Sequence, residues 1–458
     1  MFRSKLYSSI IFASILSLVF IFPVYGSPEE DIIQMLQQEQ PYHVVTAEPF
    51  NQLGWDLPDG GATVKAIGDA TPGSVIDPRE LEKLSPDLIG YQVKWHEIRY
   101  NQYGLDWDIT GLHLIPKEAL PGLPTLVFIN GGAGNWYEFF VDSLNRSGVG
   151  QYLAQKIPVM IATIPGNYRH GGWTENDLAK RIPAYVLDRE ISADELAIRN
   201  AVYTFQLVAE GVKKLLETVT TGPIIISGHS TGGEIQFILQ GTTLGERLQG
   251  KSFGWGTGGP AGLEVMQKFR GIQSTDSFPD IWNIRPRPAD NYMDGYLGPL
   301  NAVWNPSKTR LAMAKEWQAL ERRKKPYFKQ PLQDIEHNSS IYLLDHITGQ
   351  IRQTLDNNEF GVEPEEVIAD LFSTMRSPHT GYTKMIWTTS RLDTGHWNPD
   401  NVSESRELLI ANEFRQKNPG IPIRVLLFDV PLTHFGHAEQ PKQISGGFLA
   451  AIKWLYQP

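Results

Sequence analysis

The chain has 458 residues, with 41 Lys and Arg against 51 Asp and Glu, and a formal net charge of −10. Hydrophobic residues are 41% and charged residues 20%, a balance that excludes a disordered chain, a coiled coil and a collagen-like repeat. The acidic charge argues against a nucleic-acid binder that relies on phosphate contacts. The length predicts a large domain with an insertion or a second domain.

The N-terminus has the pattern of an export signal. Arg3 and Lys5 precede an apolar run over 10–24, and Gly26 offers a small residue for cleavage. This order is typical of a signal peptide over residues 1–26. The alternative is an uncleaved membrane anchor, although the run is shorter than the ~20 residues that a spanning helix needs. We therefore expect a secreted or periplasmic protein with no stable membrane span after cleavage.

The composition also limits the chemistry. The chain has no cysteine, which excludes a disulfide framework, a thiolate metal site and a Cys nucleophile. No H-E-x-x-H motif or carboxylate cluster predicts a metal site, so we expect no metal. Asn-x-Ser sequons occur at Asn145, Asn338 and Asn401 and matter only in a host that glycosylates.

The alternation of strand-like and helix-like segments along the sequence predicts one α/β domain interrupted by an insertion. Residues 27–90 are polar and turn-rich, and we interpret them as an N-terminal extension. Two alternating segments, Tyr91–Tyr100 and Leu105–Leu114, predict an antiparallel pair. The first part of the core then spans 91–261, a mainly helical cap is expected over 262–380, and the core resumes over 381–458.

Continuous apolar runs within the core predict buried parallel strands. They are separated by helix-like stretches, and this alternation is typical of a doubly wound α/β fold. The runs are 123–130, 158–164, 223–227, 383–389 and 423–428. The helix-like stretches are 139–156, 193–217, 233–239, 404–416 and 446–456.

One pentapeptide predicts a catalytic nucleophile. Gly228-His229-Ser230-Thr231-Gly232 is a G-x-S-x-G that directly follows a buried strand and precedes a helix. A serine hydroxyl is a poor nucleophile until a tight strand-to-helix turn exposes it beside a base. The pattern alone is weak evidence in a chain with 42 glycines. Its position between a strand and a helix favours Ser230 as a nucleophile over a structural turn.

Acyl transfer also needs backbone donors for an oxyanion. One is expected from Thr231, directly after the nucleophile. The other is expected from Gly132, in the glycine-rich loop 130–134 that follows a buried strand; the alternative is a plain glycine turn. Gly131 and His229 are expected to line the substrate site.

The base and its orienting carboxylate are expected from late in the chain. His434 follows the last buried strand and precedes the terminal helix, and His437 is its rival three residues later. Asp393 follows the strand 383–389 at the carboxyl edge of the sheet, where sites form in open α/β sheets. Asp429, five residues before His434, is the alternative orienting group.

The order Ser230, Asp393, His434 on a strand–turn–helix elbow resembles the α/β-hydrolase superfamily. The segment 433–441, T-H-F-G-H-A-E-Q-P, is similar to the family's frequent G-H-F-x-H-x-E-x-P, in which the first histidine is catalytic. Two departures are Thr433 in place of Gly, and Asn130-Gly131 where the family often has His-Gly. The resemblance covers about 91–261 and 381–458. It implies an eight-stranded, mostly parallel sheet and a Ser-His-Asp ester or amide hydrolase.

Together, these expectations predict an exported serine hydrolase that acts on a small-molecule carboxylic ester. In the cap, Trp282, Tyr292, Tyr296 and Trp304 are candidates for lining the substrate site, or equally for the cap's own core. A peptidase or amidase of the same fold is one alternative, and a non-catalytic binding protein on the same scaffold is another. The sequence does not define the oligomeric state.

Overall fold

A computed structural model describes most of the predicted core. The described residues are 28–46, 76–84, 90–130, 136–142, 147–166, 185–229, 232–256, 349, 351–376, 381–391, 393, 396–398, 401–430, 432, 434 and 436–458. The predicted signal peptide, Trp282, Tyr292, most of the predicted cap and the glycine loop 131–135 lie outside them, as do Ser230 and Thr231.

The described residues form one nine-stranded sheet. The strands are β1 (His43–Val45), β2 (Tyr91–Gln102), β3 (Leu105–Pro116), β4 (Thr125–Ile129), β5 (Val159–Thr163), β6 (Ile224–His229), β7 (Lys251–Trp255), β8 (Lys384–Ser390) and β9 (Ile423–Phe428). Their order in the sheet is β1-β9-β8-β7-β6-β4-β5-β3-β2. All neighbouring pairs are parallel except β2 with β3 and β3 with β5. The predicted hairpin and parallel strands are confirmed.

The predicted count of eight strands was one too few. The additional strand is β1, which comes from the N-terminal extension and pairs with β9 in parallel, His43 opposite Leu426. A three-residue strand is too short to show a hydrophobic period, so it was not predictable from the local pattern. Residues 27–90 therefore contribute directly to the sheet.

Helices cover both faces of the sheet. Those on one face are α1 (Pro28–Gln37), α2 (Pro78–Leu84), α3 (Tyr137–Phe140), α4 (Val149–Ala154) and α12 (Pro441–Tyr456). Those on the other face are α5 (Ala193–Val202), α6 (Phe205–Val219), α7 (Gly233–Gln240), α8 (Gly245–Leu248), α9 (Pro364–Arg376) and α10 (Arg406–Lys417). A short helix, α11 (Gly436–Glu439), precedes α12. Strands β4, β5, β6, β8 and β9 are almost fully buried, as their apolar runs predicted.

The last part of the predicted cap packs against the core. Ile351, Leu355, Val367 and Ile368 are buried in the same cluster as α6. Asp370 accepts a hydrogen bond of 2.7 Å from the hydroxyl of Tyr103, which lies in the turn between β2 and β3. The boundary of the cap at residue 380 stays a prediction, since most of 262–380 is outside the described residues. Within the described part of the chain, no helix has the length and apolar character needed to cross a membrane.

The histidine on β1 links folding to pH. His43 is 2% exposed, and burial, together with the charges of Arg424 and Arg415, lowers its pKa to about 4. The folded chain thus binds fewer protons than the unfolded chain between pH 6.5 and 4, so stability is complete above pH 6.5 and falls toward pH 4. The loss from His43 alone is about 3 kcal/mol at most.

We expect His43→Gln to flatten the fall in the free energy of unfolding between pH 6.5 and 4. Urea unfolding of both proteins across that range measures it, with each protein compared with its own value at pH 7.5. The carboxylates of the chain are the same in both proteins, so their contribution cancels. Parallel curves for the two proteins would contradict the assignment.

Candidate active site

At the carboxyl edge of the sheet, His229, Asp393 and His434 lie close together. Strand β6 ends at His229, directly before Ser230, and α7 begins at Gly233. A Cβ on Gly228 would overlap the carbonyl of Gly232, and a Cβ on Gly232 would overlap the carbonyl of Ile129 at the end of β4. Only glycine fits at these two positions, because the backbone passes so close to itself. The glycines of the pentapeptide are therefore required by a tight strand–turn–helix elbow.

The elbow also lies against the strand that leads to the predicted oxyanion loop. Gly232 approaches the backbone of Ile129 and of Asn130, the last described residue before the loop 131–135. Asn130 is fully buried. Gly131, Gly132 and Thr231, which the sequence assigns to this region, are outside the described residues.

The sheet order and the elbow together identify the architecture. Eight strands run in the order β2-β3-β5-β4-β6-β7-β8-β9, with β3 as the single antiparallel strand, and a G-x-S-x-G turn follows the central strand β6. This is the α/β-hydrolase fold. The ninth strand, β1, is added beyond β9 at one end of this arrangement.

Comparison with known proteins gives the following. No protein-family model matches the chain, and no curated protein matches it in sequence. Similar solved structures include a membrane phospholipase A described as a bacterial virulence factor, with 12% identity, coverage of 83% of this chain and 92% of that one, and a TM-score of 0.39. A mutant of potato epoxide hydrolase has 14% identity, coverage of 79% and 99%, and a TM-score of 0.40. A serine hydrolase from a Cycloclasticus bacterium has 12% identity, coverage of 77% and 95%, and a TM-score of 0.37.

A buried histidine–carboxylate pair lies at the same edge of the α/β-hydrolase fold. Nδ1 of His434 is 3.0 Å from Oδ2 of Asp393, and both side chains are at most 10% exposed. An ionised carboxylate only accepts hydrogen bonds, so Nδ1 of His434 carries the proton and Nε2 keeps its lone pair. This tautomer is the one that a general base needs.

The two rival residues lie in other environments. Asp429 forms an ion pair of 3.0 Å with Arg391 and is about one third exposed. His437 is fully buried, and its Nδ1 accepts a hydrogen bond of 3.0 Å from Nε1 of Trp255. The geometry thus joins Asp393 to His434 and places Asp429 against an arginine.

His229, predicted to line the substrate site, contacts the candidate base. It is 2% exposed, and its Nε2 donates a hydrogen bond of 2.9 Å to the backbone carbonyl of His434. The two rings lie 4.5 Å apart. Burial holds the pKa of His229 well below its usual range, with the neighbouring histidines His434 and His437 acting in the same direction. His229 is therefore neutral at pH 7.

Sequence reasoning missed Gly256, which directly follows β7. Its φ is +56°, and a Cβ there would lie 3.0 Å from Oδ2 of Asp393 and 3.2 Å from Nδ1 of His434. A glycine lets the backbone approach both partners of the pair closely. The signal that could have found it is a glycine directly after a strand, at the carboxyl end where sites form in parallel sheets.

Sequence reasoning also missed Glu138, a buried carboxylate in an aromatic run of α3. Glu138, His229 and His437 offer atoms that all lie within 4.8 Å of one another. The hydrogen bonds do not suit a metal, because Nδ1 of His437 accepts from an indole N–H and its Nε2 must then carry the proton. The three side chains are buried, and the ring of His437 packs against that of His229.

A second group, Asp393, His396 and His434, also has three atoms within 4.8 Å. Nδ1 of each histidine faces a carboxylate oxygen, that of Asp393 for His434 and that of Glu407 for His396. The two contacts are explained by N–H donors, so protons occupy the places that a metal ion would take.

Proposed function

We propose that the chain is an exported serine hydrolase that cleaves carboxylic esters, with Ser230 as nucleophile, His434 as base and Asp393 as the orienting carboxylate. The observation that carries the proposal is the buried hydrogen bond between Nδ1 of His434 and Oδ2 of Asp393 beside the elbow. A histidine in that tautomer, at the carboxyl edge of an α/β-hydrolase sheet, supports nucleophilic catalysis by the serine that follows β6.

In the proposed reaction, Nε2 of His434 accepts the proton of the Ser230 hydroxyl as the oxygen attacks the ester carbonyl. Asp393 stabilises the imidazolium that forms. The imidazolium then gives its proton to the leaving alcohol, and an acyl-enzyme remains. Water, activated by the same nitrogen, releases the acid and restores the serine. The backbone N–H groups of Thr231 and Gly132 are proposed to hold the oxyanion, each worth about 3–4 kcal/mol in the transition state.

The remaining assignments are also part of the proposal. Gly131 is proposed to line the acyl site, with Trp282 and Tyr292 of the cap facing the substrate. Export is proposed from the signal-peptide pattern of residues 1–26. N-terminal sequencing of the protein recovered from the growth medium or periplasm tests it: a mature chain that begins near Ser27 supports cleavage, and a retained N-terminus on membranes supports an anchor.

Reaction with a fluorophosphonate probe tests the function. We expect one covalent label, on the peptide that contains residue 230, and hydrolysis of p-nitrophenyl esters. A label with turnover of aminoacyl-arylamides but not of esters would favour the peptidase alternative. Absence of a label on the intact protein would favour a non-catalytic binding protein.

We expect Gly256→Ala to lower kcat by about 10- to 100-fold. The new methyl group must displace the hydrogen-bonded pair of Asp393 and His434, and small misplacements of catalytic groups have effects of this size. Ester hydrolysis under saturating substrate measures the change.

Gly361→Ala is the matched control. Gly361 also has a positive φ, +67°, but a Cβ there would meet nothing within 4 Å. Both variants therefore carry the strain of an alanine in the left-handed region, and only Gly256→Ala disturbs the pair. Equal kcat values for the two variants would show that backbone strain, and not the contact with the pair, is responsible.

A further inference from the structure

The ring of His434 contacts two other imidazole rings. His396 stacks on one side, with ring centroids 5.4 Å apart and planes only 5° from parallel. His229 contacts the ring of His434 at 4.5 Å with a tilt of 37°. Nδ1 at the edge of the same ring donates a hydrogen bond to Asp393. The candidate base is thus contacted by aromatic rings as well as by its carboxylate.

His396 is itself held by a second buried carboxylate. Its Nδ1 lies 2.8 Å from Oε1 of Glu407, which is fully buried. Since the carboxylate accepts, Nδ1 of His396 donates, and the ring of His396 is fixed in orientation. A buried carboxylate is costly unless it is hydrogen-bonded, so the hydrogen bond with His396 stabilises Glu407 in the folded chain.

One turn carries both Asp393 and His396. The backbone N–H groups of His396 and Trp397 donate to the carbonyl of Asp393 at 2.9 and 2.7 Å. The turn after β8 therefore presents the Asp393 carboxylate to Nδ1 of His434 and the His396 ring to the same imidazole. Both contacts therefore come from the same short segment after β8.

The hydrogen bond between Nδ1 of His434 and Asp393 does not by itself fix the plane of the ring. The second torsion of a histidine side chain is broad, so the ring of His434 can turn about its bond to Cβ while its contact with Asp393 is strained only gradually. Such a turn moves Nε2 out of the direction of the nucleophile. A flat ring stacked in parallel opposes this motion because the turning edge would collide with it.

We propose that His396, held by Glu407, is a positioning residue that fixes the ring plane of His434. The inference rests on the proposed function for the role of His434 as base, but the restraint of the ring is a property of the folded chain. It assigns no chemical step to His396, which acts only through the orientation of His434.

Two double variants separate the effect of the ring from that of the buried hydrogen bond between His396 and Glu407. His396→Phe with Glu407→Leu keeps a flat ring and removes the polar partners together, whereas His396→Ala with Glu407→Leu removes the ring as well. Removing both partners avoids an uncompensated buried carboxylate. A third variant, His396→Asn, keeps a donor for Glu407 without the imidazole, and serves if a double variant does not fold.

Two readouts are needed. The first is kcat and KM for a p-nitrophenyl ester: without the ring, we expect kcat to fall about 10- to 100-fold with little change in KM, and the Phe double variant to stay within a few-fold of the wild type. The second is the downfield proton NMR signal of the hydrogen bond between His434 and Asp393, identified by its loss in His434→Gln. It should broaden or disappear without the ring and persist with Phe.

The outcomes decide the proposal independently of the hydrolase assignment. Equal kcat values and equal signals for the Phe and Ala double variants overturn it. A loss of kcat in both double variants but not in His396→Asn also overturns the proposal, since the hydrogen bond to Glu407 and not the ring would then be responsible. If the wild type hydrolyses no ester, the function fails, and the NMR comparison still shows whether His396 restrains His434.

Discussion

Ser230→Ala is expected to remove the fluorophosphonate label and to lower kcat for ester hydrolysis by about 10⁵-fold or more. The hydroxyl is the proposed attacking group, and no acyl-enzyme forms without it. Loss of a catalytic serine or histidine alone has an effect of this order, because the members of a triad act as a unit. Intact-mass measurement after labelling and steady-state hydrolysis measure both effects.

The matched control is Ser227→Ala, which removes a buried hydroxyl from the same strand, β6. It is three residues before the nucleophile and has no proposed role in the reaction. We expect Ser227→Ala to be labelled at the same rate as the wild type. A label retained on Ser230→Ala would show that another residue is the nucleophile and would end the assignment of the elbow.

His434→Gln is expected to lower kcat by about 10⁴-fold or more, whereas His437→Gln should lower it by less than about 10²-fold. The two histidines are three residues apart and both buried, but their hydrogen bonds differ. Nδ1 of His434 faces Asp393, and Nδ1 of His437 accepts from Trp255. Only the first arrangement gives an imidazole whose charged form is stabilised by a carboxylate at Nδ1.

Thermal unfolding of the same two variants provides a check on their folding. His437→Gln is expected to be the less stable of the two, because the buried N–H of Trp255 loses its acceptor or must find another, at a cost of about 1–3 kcal/mol. A larger loss of kcat in folded His437→Gln than in folded His434→Gln would exchange the roles of the two histidines.

The secondary structure was predictable because its signals are local. Apolar runs predicted β4, β5, β6, β8 and β9, and alternation predicted the pair β2 and β3. The single predicted helix over 139–156 is two short helices, α3 and α4, and the stretch 193–217 is also two helices, α5 and α6. Hydrophobic periodicity does not reveal a break between two consecutive helices when both helices are rich in apolar residues.

The site was predictable in part. The glycines around Ser230 predicted the elbow, and the close backbone contacts at Gly228 and Gly232 explain why these two residues must be glycines. The position of Asp393 after β8 placed it at the correct edge of the sheet. The contacts of His396 with Glu407 and with His434 gave no such signal, because each involves residues that share no short motif.

Local patterns of side chains a few positions apart were enough to predict most of the strands, the turn between β6 and α7, and the polar residues that follow the strands. Long-range packing was needed to join Asp393 to His434 across 41 positions, to stack His396 on His434, and to add β1 to the sheet. Strand order and packing bring together groups whose separation along the chain carries no information about their distance in space.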